Sequence, residues 1–418
     1  MSGSKMKVGI IGGGAAGLFA ACHLKRLSGN SDLDITLVEK NPVPGKKLTL
    51  TGHGRCNITN RKDPSVLKNC YHEAGNFIYP ALKEFSPEET IRFFETDLGL
   101  KTKEEDNNRI FPVCDSAVTV RDTLVSYISD RVKVLSEANV LDIKKTDVFE
   151  VITSKGRLVF DTVIISCGGS SFPKTGSAGD SYKFSEGFGH TIIQARGALA
   201  PVKAGKDSAE LTKALSGVSL EAKVSLYLSD KLSASTKGEI LFADFGLTGP
   251  AVMEITREIP ADIAGMNAYL ELDLIPSMSD EDLDRELIGL IGDHPDTKIT
   301  NLIARYIPAS VSGEIAARAG FADIYAQGFS KESRKRLLRG IKHLKINIAE
   351  APSMDKAYVT RGGVSLKEVD RKTMQSKLVP GLYIIGEALD VDGISGGFNL
   401  QACMSEAYLA AKSILLMQ

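Results

Sequence analysis

Apolar and polar positions follow two different periods in the first forty residues. Lys7 to Ile11 is a short apolar run that leads into glycines, and the apolar residues between Leu18 and Leu27 recur with helical spacing. Asp34 to Glu39 is a second apolar run. A strand, a glycine turn, a helix and a second strand form one βαβ unit with a right-handed crossover. The pattern therefore predicts a parallel, doubly wound sheet.

Further β-type runs precede residue 170, and we expect the same sheet to continue through them. They lie at 132–135, 149–153, 157–160 and 162–166.

The pattern changes after residue 199. Residues 218–228, 238–242 and 268–274 have β-type patterns, and 280–345 has helical patterns with an acidic beginning and a basic end. We interpret the basic helix at 331–345 as a solvated face rather than a nucleic-acid patch.

The end of the chain returns to the first pattern, with an apolar strand at 381–386 and a glycine turn plus helix at 395–413. We therefore expect an α/β fold in which a discontinuous Rossmann-like domain is interrupted by a β-rich domain that carries a helical insertion. The predicted boundaries are 1–198 and 351–418 for the first domain, 199–276 and 343–355 for the β-rich domain, and 277–342 for the helical insertion.

Composition narrows the class of protein. The 418 residues are 43% hydrophobic and 25% charged, which is typical of folded globular proteins. Lys plus Arg (51) nearly cancels Asp plus Glu (52), so no global field would gather nucleic acid or acidic lipid. The six cysteines form no CxxC pair, which favours neither a disulfide scaffold nor a zinc site and fits a reducing cytoplasm. No apolar run is long enough for a membrane span.

The first glycine turn has the sequence Gly12-x-Gly14-x-x-Gly17, between a strand and a helix. Gly12 permits the tight turn, Gly14 lets a pyrophosphate approach the backbone, and Gly17 allows close helix packing. Glu39 ends the next strand and would accept hydrogen bonds from ribose hydroxyls, which favours FAD or NAD over NADP. The candidate residues for this adenosine half are Gly12, Gly14, Ala15, Ala16, Gly17, Glu39 and Lys40.

The C-terminal pattern favours FAD, because a simple NAD domain needs no second glycine turn so far away. Gly386-Glu387 follows an apolar strand, and a further glycine turn opens the last helix. Glu387 would bind ribityl or phosphate-side hydroxyls, and the helix N-terminus would stabilise the anionic reduced flavin. The candidate residues here are Gly386, Glu387, Gly396, Gly397, Phe398, Asn399 and Leu400.

Residues 45–60 form a loop dense in glycine, hydroxyl, amide and cationic groups, which we expect to wrap the pyrophosphate and the isoalloxazine ring. Lys46 and Arg55 would supply charge and Asn57 amide hydrogen bonds. His53 could act as an acid or base, although a structural role is favoured. Cys56 is interpreted as a packed or flavin-adjacent thiol, which disfavours a pyridine-nucleotide disulfide reductase.

Several motifs together resemble the YhiN-like, or BaiN-like, flavoproteins, a family related to aminoacetone oxidase. They are Gly12 to Gly17, Gly-Lys-Lys-Leu with the segment 51–60, segments 238–251 and 360–364, and 386–401 with its Gly-Gly-Phe-Asn-Leu-Gln motif. The resemblance covers nearly the whole chain. It implies an FAD-binding Rossmann-like domain with a β-rich insertion, and it places the backbone of Val140 near the adenine. Phe398 stands where the family motif leads us to expect Tyr.

Gly168 and Gly169 end another predicted strand and complete the cofactor-binding candidates. Pro173 follows where a helix should run, so a second, NAD-binding domain is not expected. We therefore expect a cytoplasmic FAD-dependent oxidoreductase that exchanges hydride between flavin and a small amine, carbonyl or enone, with NAD(P)H or oxygen as a possible second partner.

The sequence leaves two alternatives open, a flavin-dependent RNA-modifying protein and a non-catalytic FAD-binding protein. Neither nucleic acid, a membrane nor a metal is expected as a partner. The sequence leaves open the catalytic acid or base and the oligomeric state.

Overall fold

The computed structural model describes residues 5–29 and 33–417. These residues divide into two compact units. Unit 1 runs from the N-terminal strand to Arg196 and resumes at Tyr358, and unit 2 runs from Gly197 to Ala357.

Unit 1 is built on a parallel sheet of five strands among the described residues, in the order β19-β10-β1-β2-β6. Its strands are β1 (Met6–Ile11), β2 (Leu33–Val38), β6 (Val132–Leu135), β10 (Thr162–Ile165) and β19 (Leu382–Ile384). Every residue of β10 is buried, as expected for a central strand covered on both faces. The Rossmann-like parallel sheet predicted from the sequence is confirmed.

The prediction that 149–153 and 157–160 continue this sheet is wrong. These segments form an antiparallel sheet with the residues that precede them, whose strands are β7 (Val140–Lys145), β8 (Phe149–Thr153) and β9 (Gly156–Phe160). Two residues connect β8 to β9, and so short a connection permits a hairpin, whereas parallel neighbours need a crossover of about a dozen residues.

The remaining strands of unit 1 form two small sheets. A second antiparallel sheet contains β3 (Thr59–Asn60), β4 (Thr102–Glu105) and β5 (Arg109–Pro112), and β11 (Ile192–Ala198) pairs with β18 (Val359–Val364). The helices of this unit are α1 (Ala15–Ser28), α2 (Pro64–Leu67), α3 (Gly75–Glu84), α4 (Pro87–Arg92), α5 (Ala117–Ile128), α6 (Asp180–Gly187) and α13 (Phe398–Leu416).

Helices α1 and α13 pack against each other although they lie at opposite ends of the chain. Both are buried over most of their length, and their apolar residues belong to one continuous core with β1, β10 and β19. The core therefore brings the first and the last glycine turns of the chain to neighbouring places in unit 1.

Unit 2 has its own core and an antiparallel sheet of six strands within the described residues, in the order β12-β15-β14-β13-β16-β17. The strands are β12 (Val202–Lys203), β13 (Ser219–Leu228), β14 (Lys231–Ala243), β15 (Gly246–Thr248), β16 (Ala268–Asp273) and β17 (Leu344–Asn347). The helices are α7 (Lys206–Ala214), α8 (Pro250–Ile255), α9 (Asp280–Asp293), α10 (Ile299–Ile303), α11 (Ala309–Arg318) and α12 (Lys331–Lys342).

The basic helix α12 uses part of its charge inside unit 2. The guanidinium of Arg334 pairs with Asp284, and the buried ammonium of Lys342 donates to Asp273 at 2.7 Å. His343, just after the helix, pairs with Asp280, and this ion pair raises the pKa of the imidazole. No helix within residues 5–29 and 33–417 is long and apolar enough to cross a membrane.

Candidate functional site

Three parallel neighbours, β1, β10 and β19, end at the same edge of the unit 1 sheet. Each is followed by glycine: Gly12 after β1, Gly168 after β10 and Gly386 after β19. In open α/β sheets, ligands bind outside the carboxyl ends of the strands. A ligand site is therefore expected at this edge of the sheet.

The first turn depends on two glycines for close packing. A Cβ on Gly12 would lie 2.7 Å from the Cα of Cys167, and Gly12 has a φ of +101°. A Cβ on Gly17 would lie 1.9 Å from the carbonyl oxygen of Gly12. Side chains at either position would separate β1, α1 and β10, because these close contacts are with backbone that cannot move aside.

Gly14 differs from both, because the space beside it is open. The nearest heavy atom to a Cβ built there is the carbonyl oxygen of Ser166, at 3.9 Å. No side chain in the described part of the chain caps the start of α1, and the N–H groups from Gly14 to Gly17 have no acceptor there. The open space and the free N–H groups at a helix N-terminus form a cradle for an anion.

Glu39 lies beside this cradle and is buried. Its carboxylate accepts hydrogen bonds from the N–H of Gly13 and from the backbone and side-chain N–H groups of Asn41, each at 2.7 Å. These bonds fix the carboxylate at the end of β2, and Oε2, which accepts from Gly13 alone among the described residues, retains one lone-pair direction for a further donor.

Two further candidates, Val140 and Lys40, lie near Glu39 but differ in their contacts. The N–H of Ala138 donates to the carbonyl oxygen of Glu39 at 2.9 Å, which brings the start of β7, where Val140 lies, beside the end of β2. The ammonium of Lys40 pairs with Asp180 at 2.5 Å, so its charge is balanced by the first residue of α6.

The second cradle is the N-terminus of α13. Asn57, in the loop at 45–60, contacts this turn through its side-chain amide. In the amide orientation that satisfies its hydrogen bonds, the NH₂ group donates to the carbonyl oxygens of Thr59 and Ile110, and the amide oxygen accepts from the N–H of Gly397 at 3.1 Å. A Cβ on Gly397 would lie 2.6 Å from the carbonyl oxygen of Thr59, so only glycine allows this approach. The N–H groups of Phe398, Asn399 and Leu400 have no acceptor among the described residues.

The side chains at this helix start are already engaged. The Phe398 ring is buried against Tyr71, whose hydroxyl donates to the Phe398 carbonyl oxygen at 2.7 Å. Asn399 forms two hydrogen bonds with the backbone of Gly393, and the Gly396 carbonyl oxygen accepts from Asn60. The backbone of this turn, rather than its side chains, is therefore available to a ligand.

Lys47, which the sequence analysis passed over, joins three segments. Its ammonium donates to Glu387 at 2.7 Å and to the hydroxyl of Ser171 at 2.5 Å. The other carboxylate oxygen of Glu387 accepts from the Ser171 hydroxyl at 2.6 Å and from the N–H of Thr360 at 2.7 Å. The lysine pair in Gly-Lys-Lys-Leu was the available signal, but the sequence could not tell which lysine faces inward.

The two cations that the sequence analysis selected have other contacts. Lys46 donates to the carbonyl oxygen of Lys174 at the surface. Arg55 pairs with Glu105 and Asp115 and lies 4.2 Å from the ring centroid of Phe111. Hydrogen bonds to both carboxylates raise the pKa of Arg55, so its charge is balanced by Glu105 and Asp115.

The two cysteines near the edge are a buried thiol, Cys56, and a half-buried one, Cys167. Burial raises the pKa of Cys56 to about 12 and that of Cys167 to about 12, so both stay protonated at neutral pH. A protonated thiol is a poor nucleophile, and neither residue has the low pKa of a redox centre. His53 is exposed in the same loop, with a φ of +56°.

Glu406 on α13 is a second residue that no sequence motif singles out. It is fully buried, and one carboxyl oxygen accepts from the N–H of Gly386 at 2.5 Å. The other oxygen has no partner among the described residues. Burial raises the pKa of Glu406 to about 8, so its neutral form predominates at pH 7.

The two cradles and the Gly168-Gly169 loop suit a long dinucleotide. An anionic pyrophosphate matches the free N–H groups of α1, whereas an electron-accepting ring edge matches those of α13. Gly168 lies against Ser177, whose hydroxyl donates to the Gly169 carbonyl oxygen, so this loop is held closed beside the first cradle. The arrangement fits FAD, with one end near each helix start.

Comparison with known proteins identifies the family. The model of the HI0933-like protein Rossmann domain matches residues 6–413. The chain belongs to this family. The match confirms the family resemblance and the Rossmann-like fold, and with the relatives below it bears out the predicted class, an FAD-dependent oxidoreductase.

Two curated relatives match along nearly their whole length. The 3-dehydro-bile acid delta(4,6)-reductase of Clostridium scindens is 31% identical over 97% of this chain and 98% of its own. The ribosomal RNA dihydrouridine synthase of Escherichia coli is 27% identical over 97% of each.

Among solved structures, the 3-ketosteroid delta1-dehydrogenase of Sterolibacterium denitrificans, in complex with 1,4-androstadiene-3,17-dione, has the same fold. The TM-score is 0.53 at 12% identity, over 99% of this chain and 100% of the other.

Proposed function

We propose that this HI0933-like protein is an FAD-dependent reductase that adds hydrogen across an activated carbon–carbon double bond of a small organic molecule. The observation that carries the proposal is the pairing of two uncapped helix N-termini, those of α1 and α13, at one sheet edge. Bound FAD supplies hydride chemistry that no side chain can provide.

The names of the two relatives support this choice of reaction. One denotes a reductase of a dehydrogenated bile acid, and the other forms dihydrouridine from uridine in RNA. An enone and a uracil ring both have a carbon–carbon double bond conjugated to a carbonyl group. We therefore select the enone from the three substrate classes left open by the sequence.

The chain's own residues bind and orient the cofactor in this proposal. The N–H groups of α1 hold the pyrophosphate, and Glu39 accepts from the ribose. The N–H groups of α13 face the flavin end, where their partial positive charge favours an anionic reduced state. The remaining cofactor-binding candidates, including Gly168, Gly169 and Glu387, complete the same edge.

The electron donor in the proposal is NADH or NADPH, with oxygen as a competing acceptor. The cytoplasm is the proposed compartment, because the scattered cysteines suit a reducing environment.

Anaerobic half-reactions test the proposal. The purified protein should be yellow, and NADH or NADPH should bleach its flavin absorbance. A cyclic enone should then restore the absorbance, whereas the matching saturated ketone should not. Bleached protein that recovers with oxygen but with no enone would contradict the proposed substrate class, and protein that no donor bleaches would be a non-catalytic FAD binder.

A ribosomal RNA substrate is the second candidate, and the observation that favours it is the name of the Escherichia coli relative, a ribosomal RNA dihydrouridine synthase. Against it, α12 balances Arg334 and Lys342 with carboxylates of its own unit, and the net charge is −1. Reoxidation of the reduced protein by unmodified ribosomal RNA, with formation of dihydrouridine, would establish this alternative.

A further inference from the structure

The strongest unexplained feature of unit 1 is the half-buried ion pair between Lys47 and Glu387. The two side chains are 23% and 19% exposed, and their charged atoms are 2.7 Å apart. Surface ion pairs contribute little to the stability of a protein, and a half-buried pair also loses part of its solvation. Stability therefore does not explain the pair between Lys47 and Glu387.

The surroundings of the pair fix the ammonium in one place. Ser171 is fully buried and bridges the two partners, accepting from Lys47 and donating to Glu387. Thr360, also fully buried, accepts from the N–H groups of Ser170 and Ser171 at 3.0 Å, while its own N–H donates to Glu387. A flexible lysine side chain is thereby held without rotational freedom.

One donor of this fixed ammonium remains available. Lysine has three N–H donors, and within residues 5–29 and 33–417 Lys47 has two acceptors, Glu387 and Ser171. The pair also lies next to Gly386, where a Cβ would be 2.6 Å from the Cβ of Ala16 on α1 and 3.5 Å from the Sγ of Cys403 on α13. Glu387, the carboxylate partner of the ammonium, therefore directly follows a residue that packs between the two helices whose starts form the cradles, and Cys403 on α13 interacts electrostatically with both Glu387 and Lys47.

We propose that Lys47 contacts the flavin: its third N–H donates a hydrogen bond to the flavin end of bound FAD, and its charge raises the reduction potential. This inference rests on the proposed function, since it needs FAD at the sheet edge. Glu387 and Ser171 act as positioning residues, because they hold the ammonium in place. We therefore assign to Lys47 the charged contact with the cofactor that the sequence predicted for Lys46.

The test compares Lys47→Met with Lys174→Met. Lys174 is exposed, and its side chain forms no hydrogen bond or ion pair among the described residues, so the control removes the same charge without removing a hydrogen bond. The readouts are the midpoint potential of bound FAD and its affinity for sulfite, which adds negative charge to the flavin. Neither depends on a substrate.

Lys47→Met should weaken sulfite binding about tenfold or more relative to the control, since a hydrogen bond to a charged group is lost. The equilibrium for FAD reduction should fall by about the same factor, which for a two-electron couple is about 30 mV. Lys47→Arg should restore part of both. If the sulfite affinity and the equilibrium constant for FAD reduction both stayed within about twofold of the control, the inference would be overturned.

Lys47→Met could misfold because Glu387 is left without its cation. The same lysine is therefore also removed from a protein that carries Glu387→Gln. Glu387→Gln is compared with Lys47→Met/Glu387→Gln, and the same loss in sulfite affinity is expected on removal of Lys47. If only the double variant loses FAD while circular dichroism shows it folded, Lys47 is again assigned to the cofactor. Wild-type protein that binds no FAD would refute the proposed function itself, a result distinct from unchanged sulfite binding in Lys47→Met.

Discussion

Three buried or half-buried glutamates of unit 1 have different contacts, and only two of them could be selected as candidate site residues from the sequence. Glu39 could be predicted because it follows an apolar strand at a fixed distance from a glycine fingerprint. Glu387 could be predicted because it follows Gly386 after a second such strand. Glu406 could not, because α13 is apolar on almost every side and its pattern does not show which face a single carboxyl group occupies.

Glu406 should make stability depend on pH. The pKa of Glu406 is raised from 4.5 to about 8, so the folded protein favours the neutral acid. This stabilisation is fully present below pH 4.5 and is lost as the pH rises through about 8, at roughly 1.4 kcal/mol per pH unit. Glu406→Gln, which stays neutral, should therefore lose less stability than wild type over this interval.

Thermal unfolding of the two proteins across this pH range measures the effect. Glu186→Gln, at an exposed position on α6, is the matched control and should follow the wild-type curve. Parallel curves for Glu406→Gln and wild type would show that Glu406 ionises normally in the folded protein.

The sequence predicts individual helices and strands more readily than it predicts which strands pair with each other in a sheet. The glycine turns and periodic helices gave α1 and α13, because each signal is local. The apolar runs at β8 and β9 were also found, but their placement was wrong, since apolarity alone does not separate a central parallel strand from a buried hairpin. The two-residue connection was the better guide.

Gly14→Ala should separate folding from cofactor binding at the start of α1. Its φ of −71° suits alanine, and the space beside it is open, so the apoprotein should unfold at an unchanged temperature. The added methyl group would occupy the place of the pyrophosphate, and FAD affinity should fall about tenfold or more, equivalent to about 1.4 kcal/mol. Fluorescence titration of the apoprotein with FAD measures this.

Gly187→Ala, in α6 with open space around it, is the control and should bind FAD normally. Equal FAD affinity for Gly14→Ala and this control would exclude a phosphate at Gly14.

At the scale of the molecule, the sequence predicted that the two ends of the chain belong to one domain, but not which strands pair there. β19 pairs with β10, and more than two hundred residues separate them in sequence, so no local pattern specifies that register. The contacts of α12 were equally hidden, because the ion pair between Arg334 and Asp284 forms between helices remote in sequence. The sequence shows that α12 is basic, but it does not show which carboxylates pair with its basic residues.

Salt should have little effect on turnover of a small neutral enone. The net charge is −1 and part of the basic charge on α12 is balanced internally, so no field steers substrate to the site. The ratio kcat/KM, measured from low to high ionic strength, should stay nearly constant. A steep decline with salt would point to a polyanion, as in RNA binding, where affinity falls with each released counterion.

The central claim, that one FAD is held by the start of α1 and the start of α13, is tested most directly by calorimetric titration of the apoprotein. FAD should bind with one equivalent per chain and far more tightly than either ADP or FMN, because each of those reaches only one cradle. The account would be contradicted if FAD gave no binding heat, or if it bound no more tightly than ADP.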